Sequence, residues 1–304
     1  DDLEAVVQAI EIAIEYRQVF SRDIFIDLLC YRKYGHNEGD EPKFTQPKLY
    51  DIIAKHPNPK VIYQEQLEEE GLISKDEAKK IEDSYNQFLE DEFNAARDND
   101  KASVFDFLSL TWKDYRHGTA KDFEESPKTG LDKKLLLDLG IKLSTLPEGK
   151  KYFRKIAKIF DDRLNAFKKN KMDWGSAEML AYASLLNEGH SVRISGQDVE
   201  RGTFSHRHAV VITEDTEEKI ETLNLLSEKQ AKFEIYNSLL SEYGVLGFEY
   251  GYSLATPNGL TIWEAQFGDF FNGAQTMIDQ FISAGEDKWA TQSGLVLLLP
   301  HGYE

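Results

Sequence analysis

Ionisable side chains and glycines are concentrated in a short segment near the start of the chain. Residues 34–42 read YGHNEGDEP, so that His36 is closely followed by Asp40 and Glu41. An imidazole can exchange a proton near neutral pH, and its polar neighbours could orient a substrate. The segment could equally be a surface turn capped by its acidic residues. The local sequence does not decide between a site and a turn.

A second polar segment, residues 195–208, reads SGQDVERGTFSHRH. His206 and His208 are spaced as two metal ligands on one strand face would be. No third ligand is spaced to join them, so we predict no metal bound by this chain. Arg207 or Arg201 could grip a substrate carboxylate through two parallel hydrogen bonds. The alternative is a hydrogen-bonded turn in which an arginine pairs with a carboxylate of the protein itself.

Further candidates follow predicted strands later in the chain. Glu242 comes directly after Ser241 and before a largely apolar segment, so it should lie in the first turn of a helix. An acid is favoured there by capping and the helix dipole, whether or not it has a function. Phe267 and Phe270 follow the predicted strand 260–265, where they could stack on a flat ring or pack in the core.

The composition predicts a globular protein and excludes several function classes. The chain has 304 residues, 41% of them hydrophobic, with 54 acidic against 36 basic residues and a net charge of -18. Such a charge repels phosphate backbones and anionic lipid heads, so we expect no nucleic-acid partner. We expect no membrane span, because no apolar stretch approaches about 20 residues. The single cysteine, Cys30, lies in an apolar segment and is predicted to be a buried thiol in a reducing compartment.

The hydrophobic pattern predicts an α/β architecture. Apolar residues at helical spacing over residues 4–20 precede the apolar run 24–31, which indicates a helix and a buried strand of a parallel sheet. Residues 46 to about 100 are mainly helical, with a capping box formed by Ser74 and Glu77. From residue 172 onward the pattern predicts a second α/β domain. Its predicted elements are helix 177–186, strand 191–195, strand 233–238, a helix from 241, strand 260–265, helix 273–283 and strand 295–299.

Four of these segments together resemble one enzyme family. Residues 34–42, 195–208, 240–242 (LSE) and 262–269 (IWEAQFGD) are similar, in this order, to the thiamine-diphosphate-dependent decarboxylase component of 2-oxoglutarate dehydrogenase complexes. The resemblance implies parts of two doubly wound thiamine-diphosphate-binding domains joined by a helical connector. The implied segments are the C-terminal part of the diphosphate-binding domain (1–45), the connector (46–171) and the N-terminal part of the pyrimidine-binding, transketolase-like domain (172–304).

The resemblance also implies roles for individual residues. Glu242 resembles the catalytic glutamate that hydrogen-bonds the pyrimidine ring nitrogen of the cofactor, and His36 resembles the active-site histidine near its diphosphate. Phe267 or Phe270 is expected against the pyrimidine. Asp198, His206 and Arg207 are expected near the substrate cleft.

The reaction implied by the resemblance is the oxidative decarboxylation of 2-oxoglutarate in the tricarboxylic acid cycle, with thiamine diphosphate and Mg²⁺. The succinyl unit would pass to lipoyl groups of dihydrolipoyl succinyltransferase, in a complex that also contains dihydrolipoyl dehydrogenase. Active sites would form between the subunits of a homodimer. A 2-oxoadipate-type enzyme and a non-catalytic assembly module are the alternatives.

The family's magnesium-binding motif has no counterpart among these residues. We therefore expect an internal fragment of the enzyme, which alone neither binds the cofactor tightly nor turns over. The bacterial cytoplasm is the expected location, with the mitochondrial matrix as the alternative.

Overall fold

The computed structural model describes residues 2–98 and 107–302. The chain divides into two compact units, Asp1–Ser103 (unit 1) and Val104–Glu304 (unit 2). This division lies inside the predicted connector 46–171 and at neither of its ends. The assignment of the three predicted segments to family domains stays a prediction.

All regular structure among the described residues of unit 1 is helical. Its helix α1 begins after Asp2, whose carboxylate accepts a hydrogen bond from the amide of Ala5 at 2.9 Å. The predicted capping box is confirmed, because Ser74 Oγ accepts from the amide of Glu77 and the Glu77 carboxylate accepts from the amide of Ser74. The α-helices in the described part of unit 1 are α1 (Leu3–Phe20), α2 (Pro47–Ile53), α3 (Pro59–Glu69) and α4 (Lys75–Asp98).

The predicted strand 24–31 does not form, and this prediction is wrong. No strand is present among residues 2–98, and the side chains of Phe25 and Leu29 are 95% and 90% exposed. Cys30 is exposed as well, so the predicted buried thiol is also wrong. A strand of a parallel sheet needs neighbouring strands for its backbone hydrogen bonds, and the described residues of unit 1 supply none. An apolar β-branched run favours a strand locally, but pairing decides whether one forms.

Unit 2 contains a four-stranded sheet in the order β4-β1-β5-β6, with every neighbouring pair parallel. Strands β2 and β3 form a separate antiparallel pair. The α/β fold class is confirmed, and each of the four predicted strands ends within one residue of its observed end. The elements on which the fold depends are α5 (Lys133–Leu143), α6 (Arg154–Lys168), α7 (Trp174–Asn187), β1 (Val192–Gly196), β2 (Val210–Ile212), β3 (Lys219–Glu221), β4 (Phe233–Asn237), α8 (Glu242–Ala255), β5 (Leu260–Glu264), α9 (Gln275–Met277), α10 (Gly285–Trp289) and β6 (Leu295–Leu298).

Helices cover both faces of the sheet. Ile262 and Trp263 are neighbours on β5, so their side chains point to opposite faces. Ile262 packs in a core with Leu143 of α5 and Leu186 of α7, whereas Trp263 packs in a second core with Leu246 of α8. Two covered faces are typical of a parallel sheet, although β1, β4 and β5 also carry polar residues such as Arg193, Glu234 and Thr261. Because α5 and α6 contribute to the same core as α7, these two helices before residue 172 belong to the same compact unit as the sheet.

The segment after β5 is helical as predicted, but it begins earlier than residue 273. It starts as a 3₁₀ turn over Gly268–Ala274, continues as α9 and ends in a π turn over Ile278–Ile282. The amide of Gly268 donates to the carbonyl of Pro300 at 2.8 Å, which ties the start of this segment to the chain after β6. None of the helices formed by the described residues is long and apolar enough to cross a membrane.

Candidate functional site

A narrow cleft opens at the carboxyl ends of the parallel strands. The chain leaves β1 toward its neighbour β4 on one side of the sheet and leaves β5 toward its neighbour β6 on the other side. The two connections therefore run in opposite directions from the adjacent strands β1 and β5. Open α/β sheets bind ligands in the crevice at this topological position. The cleft is lined by Gln197, Ser238, Ser241, Glu242, Trp263, Glu264, Ala265 and Gln266.

Glu242 is the first residue of α8 and is half-buried. Ser241 caps the helix, with its Oγ accepting a hydrogen bond from the amide of Gly244 at 3.1 Å. The predicted helix start is therefore confirmed. The carboxylate of Glu242 also lines the cleft, where its Oε1 accepts a hydrogen bond from Gln197 Nε2 at 2.8 Å. Capping alone does not require this inward orientation.

The loop after β1, residues 197–208, is held in an unusual backbone conformation. Asp198, Ser205 and His208 all have positive φ angles, at 62°, 55° and 46°. Such conformations cost energy for residues other than glycine and tend to gather at functional sites. Asp198 is only partly exposed, and its carboxylate pairs with the guanidinium of Arg201. The structure thus brings Asp198 to the carboxyl end of β1, next to Gln197.

Arg207 is completely buried, and the protein itself takes up its hydrogen bonds. Its Nη1 donates to Glu264 Oε1 at 2.9 Å and to the carbonyl of Val199 at 3.0 Å, while Nη2 donates to Glu264 Oε2. Its Nε donates to Glu178 Oε1 at 2.7 Å. Burial alone would lower the pKa of Arg207, but the hydrogen bonds that it donates to the two carboxylates outweigh burial and raise that pKa. Arg207 therefore pairs with carboxylates of the protein itself and is not free to bind a substrate carboxylate.

The fold brings three potential metal ligands together, although the spacing of the histidines in the sequence indicated no third ligand. Glu178, His206 and Glu264 offer ligand atoms that lie within 4.8 Å of one another. The guanidinium of Arg207 donates hydrogen bonds to both carboxylates, so these oxygens already have a cationic partner that a metal ion would have to displace. Burial, reinforced by the charge of Arg207, lowers the pKa of His206, which keeps the imidazole neutral near pH 7. The prediction of a chain without a bound metal is compatible with this arrangement.

Three phenylalanines form a cluster beside the cleft. The ring of Phe267 lies edge-on to those of Phe204 and Phe270, with centroid separations of 5.7 and 5.8 Å. The ring of His206 lies 6.3 Å from that of Phe204. All three phenylalanines are partly exposed, so the cluster is not a closed core. Both predicted aromatic candidates therefore lie together, and Phe204 joins them.

Phe204 was not among the candidates predicted from the sequence. Its position within the polar segment 195–208 was the available signal, since an aromatic residue there is hard to bury. His301, which follows β6, was also not among the candidates predicted from the sequence. Its Nδ1 lies 3.2 Å from the carboxylate of Asp269.

His36 lies in unit 1, whereas the other candidates lie in unit 2. Its Nδ1 accepts a hydrogen bond from Arg32 Nη1 at 3.1 Å, and its amide donates to Asp40 Oδ2 at 3.0 Å. Gly35 has a φ of 77°, and a side chain there would collide with Asp40. The segment 34–42 is thus a turn capped by an acid, with the imidazole of His36 exposed.

Comparison with known proteins identifies two family models along the chain. Residues 1–104 match the model described as "Dehydrogenase E1 component". Residues 170–304 match the model described as "Transketolase, pyrimidine binding domain". The second match includes the cleft and every element of the parallel sheet.

Several curated proteins align with the whole chain over 305 residues. "2-oxoglutarate dehydrogenase E1 component" proteins of Rickettsia typhi, Rickettsia felis and Brucella ovis are 47%, 48% and 46% identical to it. The alignments cover 100% of this chain and 32%, 31% and 30% of these relatives. The chain is therefore similar over its whole length to 2-oxoglutarate dehydrogenase E1 components, and it spans about a third of the length of these relatives.

Proposed function

We propose that this chain works in the oxidative decarboxylation of 2-oxoglutarate, as part of a thiamine-diphosphate-dependent E1 component. The observation that carries the proposal is the inward carboxylate of Glu242, in a cleft at the topological switch of a chain 46–48% identical to such proteins. An acid in this position can form a hydrogen bond to a ring nitrogen of a bound pyrimidine. The bound cofactor would supply the stabilisation of negative charge that decarboxylation needs.

The residues around the cleft fit the pyrimidine part of this cofactor. Glu242 is half-buried and fixed by the start of α8, so its carboxyl group can hold a proton at a defined place. The partly exposed rings of Phe267 and Phe270 offer an apolar face to a flat heterocycle. Neutral His206, whose ring lies 6.3 Å from that of Phe204, can donate or accept one hydrogen bond beside the phenylalanine cluster. Asp198 lies next to Gln197 in the chain.

Arg207 has a different role from the one first expected. Its buried pairing with Glu264 and Glu178 leaves it unable to reach a substrate, so we assign it to holding the loop 197–208 in place. His36 remains the proposed contact for substrate or intermediate near the diphosphate. Its exposed imidazole is available for that purpose.

The described residues do not fit Mg²⁺. Within residues 2–98 and 107–302, the one group of three potential ligands contains Arg207 between its carboxylates. These residues therefore hold no metal in the proposed reaction. Mg²⁺ and the diphosphate would be held by other parts of the enzyme.

The proposed partners are those of the whole E1 component. They are a second subunit in a homodimer, the lipoyl-bearing dihydrolipoyl succinyltransferase and the dihydrolipoyl dehydrogenase. The relatives from Rickettsia and Brucella support a bacterial source, and a cytoplasmic location is proposed on that basis.

The proposal is tested by turnover of the full-length E1 component that contains this chain. Replacement of Glu242 by Gln should reduce carbon dioxide release from 2-oxoglutarate by about 100-fold or more, because the amide cannot act as an acid. Glu188→Gln is the matched control, since Glu188 is exposed at the end of α7. Unchanged turnover in Glu242→Gln would favour the non-catalytic assembly module. Faster turnover of 2-oxoadipate than of 2-oxoglutarate would identify 2-oxoadipate as the substrate instead.

A further inference from the structure

The two oxygens of the Glu242 carboxylate have different surroundings. Oε1 accepts a hydrogen bond from Gln197 Nε2 at 2.8 Å. Oε2 faces Gly273, where an added Cβ would lie 3.2 Å from it. Gly273 belongs to the 3₁₀ turn that carries Phe270. One oxygen is thus already bonded within the protein, and the other faces the turn that carries Phe270.

The backbone on both sides of Gln197 is fixed. A side chain at Gly196 would overlap the carbonyl oxygen of Glu264, so only glycine allows β1 and β5 to approach this closely. The amide of Ser238 donates to the carbonyl of Gly196 at 2.8 Å. On the other side, Val199 is fully buried and its carbonyl accepts from Arg207. Gln197 therefore presents its amide from a rigid base, and little entropy is lost in holding the hydrogen bond.

The chemistry of an amide makes this contact directional. The Nε2 group of a glutamine donates hydrogen bonds and does not titrate. Because Gln197 places a hydrogen atom against Oε1, a proton carried by Glu242 itself has to reside on Oε2. The hydrogen bond therefore selects which oxygen of the carboxyl group can exchange a proton with a ligand.

We infer that Gln197 is a positioning residue, which reserves Oε2 of Glu242 for a nitrogen heterocycle lying against the phenylalanine cluster. This inference rests on the proposed function, in which Glu242 holds a proton against the pyrimidine of thiamine diphosphate. Gln197 itself need not touch the cofactor. Its loss should therefore change the action of Glu242 more than it changes cofactor affinity.

The test uses the full-length E1 component loaded with thiamine diphosphate and Mg²⁺. The rate at which the thiazolium C2 proton of the cofactor exchanges with deuterium is measured by acid quench and NMR, and cofactor affinity is measured by calorimetry. Gln197→Met keeps the side-chain length and removes the donor. We expect exchange to slow by about 10- to 100-fold, with the dissociation constant changed by less than about threefold.

Gln87→Met is the matched control, because Gln87 Nε2 donates to Asp91 Oδ1 at 2.8 Å on the exposed surface of α4. In this control, the thiazolium C2 proton of the cofactor should exchange at the same rate as in the unmodified protein. If Gln197→Met fails to fold, Gln197→Ala removes the same donor and is measured in the same way. Normal exchange in the Gln197 variant beside slow exchange in Glu242→Gln would overturn the inference alone. Normal exchange in Glu242→Gln would overturn the proposed function itself.

Discussion

Unit 1 and unit 2 bury their apolar side chains to very different degrees. In the described part of unit 1, the buried hydrophobic residues are Ala13, Ile53 and Ala78, while the apolar faces of α1 and α4 remain largely exposed. Unit 2 has two cores, one on each face of its sheet. The same kind of apolar pattern thus produces a core only where strands pair and helices can pack on them.

This difference also separates the candidate residues. Glu242, Gln197 and the phenylalanine cluster lie on a sheet edge supported by two cores, whereas His36 lies on an exposed turn. Groups that hold a proton in a fixed direction need rigid support. The contrast predicts that substitutions inside unit 2 cost far more stability than comparable substitutions in unit 1.

The largest expected effect comes from the buried ion pair of unit 2. Glu264→Gln should lower the free energy of unfolding by about 3 kcal/mol, because it leaves the Arg207 guanidinium buried and incompletely paired. Asp83→Asn is the matched control, since Asp83 pairs with Lys79 on the exposed surface of α4. Urea denaturation should detect no change in the control. Equal losses in both variants would remove the energetic distinction between the units.

A contrast of comparable size is expected from apolar side chains. Leu143 is fully buried in the core beside α7, and Leu143→Ala should cost roughly 2–5 kcal/mol. Phe25→Ala should stay within about 0.5 kcal/mol, because its side chain is in contact with solvent. Both values are obtained from chemical denaturation of this chain. A large cost at Phe25 would mean that residues 24–31 are packed after all.

The smallest effect is the pH dependence that two histidines of unit 2 contribute. Burial lowers the pKa of His206 and of His208, so the unfolded chain binds protons to these residues more readily than the folded one. Their contribution to stability should be complete above about pH 6.5 and should be lost as the pH falls from there through the lowered pKa values. A variant with Asn at both positions should show a shallower acid dependence in thermal unfolding. Asn also tolerates the positive φ of position 208. An unchanged slope would contradict this assignment.

Local patterns were sufficient to predict much of unit 2. Strands β1, β4 and β5 and the start of α8 at Ser241 follow from short-range hydrophobic patterns and capping. These elements in turn place Glu242 and Phe267 near one sheet edge, because parallel strands share their carboxyl ends. That part of the candidate site therefore follows from the amino-acid sequence alone.

Contacts between distant residues could not be predicted in this way. Arg207 and Glu264 are 57 positions apart, and nothing in either segment indicates the partner. The same limit explains the error at residues 24–31, since a strand depends on neighbours that no local pattern specifies. The Gln197–Glu242 hydrogen bond likewise joins residues 45 positions apart.

The central claim is that the Glu242 cleft binds the pyrimidine of thiamine diphosphate. Calorimetric titration with thiamine diphosphate and Mg²⁺ tests it most directly, on this chain and on the full-length E1 component, each with and without Glu242→Gln. The full-length protein should bind the cofactor and lose affinity with the substitution, whereas this chain should bind only weakly. Binding that is identical with and without Glu242→Gln in the full-length protein would contradict the claim.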